Sequence, residues 1–291
     1  MRNKTHLIFF TYFRCNIYNG FTYNMKYLGG KQRLGKHIAP ILKDLITRYE
    51  ELVNKKIKAY LEPFCGSLGV LRNMTDVEAE VLANDYHPDL IEMWTEVQTG
   101  KFEYPKSISE EEYLAAKELP SPSAMKSFVG FGMSFGGRFF GAYSQKYVNG
   151  KDEDFCKEMV NSLKRAAPLI KNVKFTNKDY SDLKPKGMFV YCDPPYAQTK
   201  FPIKYRRETK KYDVFDNEKF WNTAREWSKT NMVVVSETTA PEDFVNIWEQ
   251  ERYRSAAQSK KTRFNDNSKV ASKTHNMEKL FVHKSIAEKL F

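Results

Sequence analysis

Apolar residues recur at Leu34, Ile38, Ile41, Leu42, Leu45 and Ile46, and this spacing predicts an amphipathic helix directly after the turn Gly29-Gly30-Lys31. The period then shortens. Ala59-Tyr60-Leu61-Glu62-Pro63-Phe64 and Ala79-Glu80-Val81-Leu82-Ala83 read as strands, the first running into Cys65-Gly66-Ser67-Leu68-Gly69, after which residues 70–74 suit a helix. Between about Pro88 and Asn172 the strand pattern gives way to helical spacing over residues 90–97, 110–119 and 154–169. Strands resume at Val173-Lys174-Phe175-Thr176-Asn177, Met188-Phe189-Val190-Tyr191-Cys192, Met232-Val233-Val234-Val235-Ser236 and Leu280-Phe281-Val282. Ahead of the Met232 strand, Asp216 reads as an N-cap, with Glu218 in the first turn and Phe220, Trp221, Ala224 and Trp227 facing inward. The alternation predicts an α/β sheet with a mainly helical insertion.

Inside that insertion, residues 128–143 combine many glycines with many aromatics. The glycines make a poor helix and the aromatics a poor linker, so a packed loop is expected. Such a loop also offers an aromatic and arginine surface, with Arg138 the candidate for a nucleic-acid contact.

A chain of 291 residues accommodates one α/β catalytic domain and a smaller inserted one. Its net charge of +11 points to a polyanion or an acidic membrane surface as partner. No apolar run is long enough for a membrane span. Residues 1–24 are aromatic and irregular, with no small-residue cleavage site, so they read as an extension of unassigned role on a soluble, intracellular protein. Cys15, Cys65, Cys156 and Cys192 lie far apart, and the histidines share no ligand spacing with them. Neither a disulfide framework nor a metal site is expected.

The candidate chemistry begins where the Met188 strand ends, at Asp193-Pro194-Pro195-Tyr196. Each proline fixes its own φ and holds the preceding residue extended, and neither carries an N–H. The corner therefore presents a carboxylate, carbonyls and a phenol ring, which suits a planar group bearing an NH2, such as a nucleobase. An ordinary turn is the competing reading; the position at the carboxyl end of a strand favours the ligand. Gly66, just past a strand, and Asp85, about 20 residues on, have the separation of a nucleoside site in α/β sheets. Gly30 and Lys31 offer N–H groups and an ammonium to an anion, or form a solvated turn. A basic loop containing Lys204, Arg206 and Arg207, interleaved with aromatics, fits a groove that tracks a nucleic-acid backbone.

In this order, Lys26 to Lys31, Glu62-Pro63-Phe64-Cys65-Gly66-Ser67, an insertion and then Asp193-Pro194-Pro195-Tyr196, the chain resembles the Dam-like, α-ordered DNA adenine-N6 methyltransferases of bacteria and phages. The resemblance covers nearly everything after Met25. It implies a Rossmann-like methyltransferase sheet built from residues 25–87 and 173–291, with a target-recognition insertion at 88–172. It implies S-adenosylmethionine as cofactor, held by Tyr27, Lys31, Phe64, Gly66, Asp85, Asp179 and Asp193, and double-stranded DNA as substrate, in the cytoplasm of a bacterial or phage-infected cell. A flipped-out adenine would stack on Tyr196 and give its N6 hydrogens to Asp193 and the Pro194 carbonyl, with Pro195 completing the corner. Arg138, Lys204, Arg206 and Arg207 would contact DNA.

Two departures stand out. Leu68 occupies the place of the second glycine in the family's Phe-x-Gly-x-Gly loop, with Gly69 following. The insertion also lacks the arginine- and asparagine-bearing segment of GATC enzymes, so GATC recognition does not carry over. Alternatives are an amino-methyltransferase for cytosine N4 or RNA, and an inactive DNA-binding relative.

Overall fold

The predicted strands all enter one sheet. The computed structural model describes residues 25–144, 147–148, 151–152, 154–196, 215–251 and 277–291. Helix α1 (Gly35–Val53) precedes β1 (Ala59–Glu62) and β2 (Glu80–Asn84). A helical segment follows, comprising α2 (Pro88–Thr99), α3 (Glu110–Lys117), α4 (Ala124–Gly132), a small hairpin of β3 (Tyr147–Val148) and β4 (Lys151–Asp152), and α5 (Phe155–Ala166). The chain then supplies β5 (Val173–Thr176), β6 (Phe189–Cys192), α6 (Asn217–Ser228), β7 (Met232–Glu237), β8 (Phe244–Glu251), β9 (Met277–His283) and α7 (Lys284–Leu290).

The main sheet has seven strands in the order β5-β2-β1-β6-β7-β9-β8. The first five run parallel, β9 runs against β7, and β8 runs against β9. Every residue of β1, β6 and β7 is buried, as expected of parallel strands covered on both faces. One face packs on α1 through Ile38, Leu42 and Leu45, and the other on α6 through Phe220, Trp221 and Ala224. The helical segment adds Trp94, Phe128 and Leu163 to the same core as α1. The Asp216 cap forms as expected, its carboxylate accepting the Lys219 N–H at 2.9 Å.

The expectation of a loop through residues 128–143 is corrected, because α4 runs into that stretch as far as Gly132. A Cβ on Gly130 would lie 2.5 Å from the Phe139 ring, and one on Gly132 2.9 Å from Met159. Close packing against these side chains offsets a helix penalty of roughly 1 kcal/mol per glycine. The helix expected at 70–74 contracts to a 3-10 turn, Leu71–Asn73. Strand β8 was not anticipated, since Phe-Val-Asn-Ile-Trp-Glu-Gln-Glu is a half-exposed edge strand without a clean alternation.

Between β1 and β6 the strand order reverses: β1 leads to β2 on one side, and β6 returns on the other. Open α/β sheets bind ligands at such a point, outside the carboxyl ends of the strands.

Candidate active site

Hydrogen bonds from a single buried residue tie three strand ends together. The Asn84 amide donates to the carbonyls of Pro63 and Lys178, each at 3.0 Å, and its oxygen accepts from the Thr176 hydroxyl at 2.8 Å. Asp85 follows. One of its oxygens accepts the Gly66 N–H at 3.0 Å and the other the His87 N–H at 2.9 Å, so the acid fixes the glycine loop to the end of β2. Burial pushes its carboxyl up to about 6, against the pull of the backbone N–H groups of His87, Gly66 and Tyr86.

The loop turns at Leu68, whose N–H donates to the Cys65 carbonyl at 2.8 Å. That residue takes a left-handed φ of +57° and is fully buried, so its side chain anchors the loop in the core. Gly69 then lies against the N-terminal motif, where a Cβ would sit 2.7 Å from the backbone carbon of Lys31. A Cβ on Gly35 would lie 1.9 Å from the Gly69 carbonyl oxygen. Two glycines thus bring the backbones of the two motifs into contact, and Lys31 is delivered to the sheet edge.

There its ammonium lies 2.6 Å from Asp193 Oδ1, 3.6 Å from Glu278 Oε1 and 4.6 Å from the centroid of the Tyr196 ring. Lys31 therefore faces the corner rather than standing open in a glycine turn. Glu278, fully buried on β9, accepts the hydroxyls of Tyr196 and Ser236. Alternation explains the meeting. Tyr191 pairs with Val234 and Ser236 with Leu280, so Asp193, Ser236 and Glu278 each lie an even number of residues from a position on the same sheet face.

Two further buried acids stand nearby. Burial raises the Glu62 carboxyl well above the usual range, partly offset by the hydrogen bond from Tyr60 at 2.7 Å and reinforced by Asp193. Burial likewise pushes Glu237 up to about 7, with hydrogen bonds from Thr238 and the charge of Lys31 lowering it and that of Asp193 raising it. Among the described residues, Glu237 Oε2 has no hydrogen-bond partner. The cluster is rich in acceptors and buried carboxyls around one ammonium, an environment that favours an additional cation or polar N–H groups.

Tyr27 and Phe64 flank the loop that leaves β1. The Tyr27 ring passes over Gly66, where a Cβ would lie 3.1 Å from it, and packs 4.9 Å from the Phe131 ring. Phe64 joins an aromatic group with Tyr180 at 5.2 Å and Phe220 at 5.7 Å. Asp179 lies beyond β5, where one carboxylate oxygen accepts the N–H and hydroxyl of Ser181 at 2.9 and 2.8 Å. Arg138 is exposed beside Gly137, whose carbonyl accepts the Leu28 N–H at 3.2 Å, so it borders the N-terminal motif. Lys204, Arg206 and Arg207 lie outside the described residues. Sequence reasoning missed Glu278, Ser236 and Glu237; the only signal was a polar residue at a strand end, without a register to place it.

Among the described residues, no group of three or more His, Cys, Asp or Glu side chains could hold a metal, and no helix is long and apolar enough to cross a membrane. The profile of a family described as D12 class N6 adenine-specific DNA methyltransferase matches residues 27–121 and 138–284, most of the chain. No curated protein matches it.

Proposed function

The chain belongs to the D12 class of N6 adenine-specific DNA methyltransferases, and from that membership we propose that S-adenosylmethionine is its methyl donor and that the target adenine swings out of the duplex onto the Asp193 corner. The observation that carries this reading is the position of the corner. Asp193 leaves β6 at the strand-order reversal, across from the Gly66 loop that leaves β1. A base and a nucleoside cofactor entering there meet at the sheet edge.

The residues present fit such a cofactor. The two Asp85 oxygens accept the Gly66 and His87 N–H groups and retain lone-pair capacity for ribose hydroxyls. Gly66 leaves the backbone open beneath the Tyr27 ring, and the acid-rich edge suits a cation. Tyr27, Lys31, Phe64, Gly66, Asp85, Asp179 and Asp193 form the cofactor side of the site. When bound, S-adenosylmethionine supplies an electrophilic methyl group on a positively charged sulfur.

The chain's own groups handle the base. Tyr196 stacks on the extruded adenine, because a target atom inside a duplex is out of reach. The Asp193 carboxylate and the Pro194 carbonyl accept the two N6 hydrogens, which draws the nitrogen lone pair out of conjugation and aims it. Pro195 keeps the corner extended and donor-free. Asp193 also stabilises the positive charge that develops on N6, and the surplus proton leaves after transfer. Residues 88–172 read the target sequence in this account, with Arg138 at the rim, while Lys204, Arg206 and Arg207 track phosphates.

Incubating the protein with isotopically labelled S-adenosylmethionine and, in parallel, unmethylated DNA or RNA, then separating nucleosides by mass spectrometry, tests the reading. Labelled N6-methyladenine is expected. Label in N4-methylcytosine, or in RNA alone, overturns it, and absence of both label and calorimetric cofactor binding identifies an inactive relative.

A further inference from the structure

Glu278 is fully buried at the site, yet no step above uses it. Its carboxylate accepts the Tyr196 phenol and the Ser236 hydroxyl through one oxygen, and the Lys31 ammonium lies 3.6 Å from that same oxygen. Tyr196 is consequently held at both ends: its backbone by the proline corner, its hydroxyl by β9. A ring fixed in this way is ready for stacking before a base arrives, which removes rotamer entropy from the binding step.

Lys31 poses the second problem. It sits 2.6 Å from Asp193 Oδ1, on the carboxylate that accepts the incoming amino group. Its side chain is only 4 % exposed, so it has no short route to water when displaced. Among the described residues, Glu278 is the other acid within ion-pair reach, and a shift of about 1 Å would bring the ammonium to hydrogen-bond distance from it. We propose that Glu278 is a positioning residue that pins the Tyr196 ring through its hydroxyl and takes over the Lys31 ammonium when a substrate amino group binds Asp193. This inference rests on the transfer reading above.

Two variants of the full chain separate its halves in steady-state methylation of unmethylated plasmid DNA with tritiated S-adenosylmethionine. Glu278→Gln keeps an oxygen for the two hydroxyls but removes the anion that receives Lys31. Its kcat should fall about tenfold with the cofactor KM within about threefold of wild type and an unchanged melting temperature. Tyr196→Phe keeps the ring and Glu278 but removes the hydroxyl, and its kcat should fall about fivefold by the same measure. A kcat for Glu278→Gln within about twofold of wild type overturns the proposal, as does a loss of kcat accompanied by parallel losses in cofactor affinity and melting temperature. If Glu278→Gln does not fold, Tyr196→Phe decides, and an unchanged kcat there overturns it. Wild type that transfers no methyl group at all would refute the transfer reading instead, so the two failures are distinguishable.

Discussion

Replacing Leu68 separates two opposing contributions at one residue. Its φ of +57° is a conformation that costs a non-glycine residue about 1–2 kcal/mol, while its side chain is fully buried in the main core. Leu68→Ala keeps the backbone strain and empties the pocket, and should lower stability by about 3–5 kcal/mol. Leu68→Gly empties the same pocket but releases the strain. Glycine's greater unfolded-state freedom returns up to about 1 kcal/mol of that gain. The net loss for Leu68→Gly is then about 2–4 kcal/mol, smaller than for alanine by about 1 kcal/mol. At an ordinary φ the order would be reversed, with glycine worse than alanine. Urea or guanidinium unfolding of the three proteins measures both differences. A glycine variant less stable than the alanine variant would refute the left-handed assignment, and one as stable as wild type would refute the anchoring role.

Glu237 should make stability depend on pH. Its carboxyl is raised to about 7, so the fold holds its proton more tightly than the unfolded chain, and stability should decline as pH rises through about 4.5 to 7. Glu237→Gln should remove that decline, improving by about 2 kcal/mol relative to wild type between pH 5 and pH 8 in urea titrations; an equal offset at both values would contradict the assignment. Gly69→Ala would place a Cβ 2.7 Å from the Lys31 backbone. It should cost about 1–3 kcal/mol in overpacking, and by carrying Lys31 out of reach of both Asp193 and Glu278 it should lower the methylation rate about tenfold. A fully active Gly69→Ala variant would show that the contact between the two loops does not set the position of Lys31.

Much of the parallel sheet could be read from the chain because the pattern there is local. Met232 to Ser236 is an unbroken run that suits a strand buried on both faces, and Asp216 with its following turn is a cap that needs no distant partner. The corner at Asp193 was equally legible, since two prolines dictate its backbone regardless of surroundings. What escaped depends on contacts made far along the chain. Gly130 and Gly132 stay helical because Phe139, Phe140 and Met159 close against them. Glu278 reaches Ser236 across 42 residues and Tyr196 across 82, through a β7–β9 register that no periodicity reveals. Leu68 was legible as a departure from a glycine pattern, but only its buried pocket explains how the loop tolerates it.

The central claim is that the Asp193 carboxylate orients an extruded adenine for methylation. It is met most directly by modification-sensitive sequencing of DNA from a host without adenine methylation, expressing either the wild-type chain or Asp193→Ala. Wild type should leave N6-methyladenine in a recurrent sequence context, and the variant should leave none while binding the same DNA within about threefold of wild-type affinity. Methylated adenines at the same sites in the Asp193→Ala strain would contradict the account.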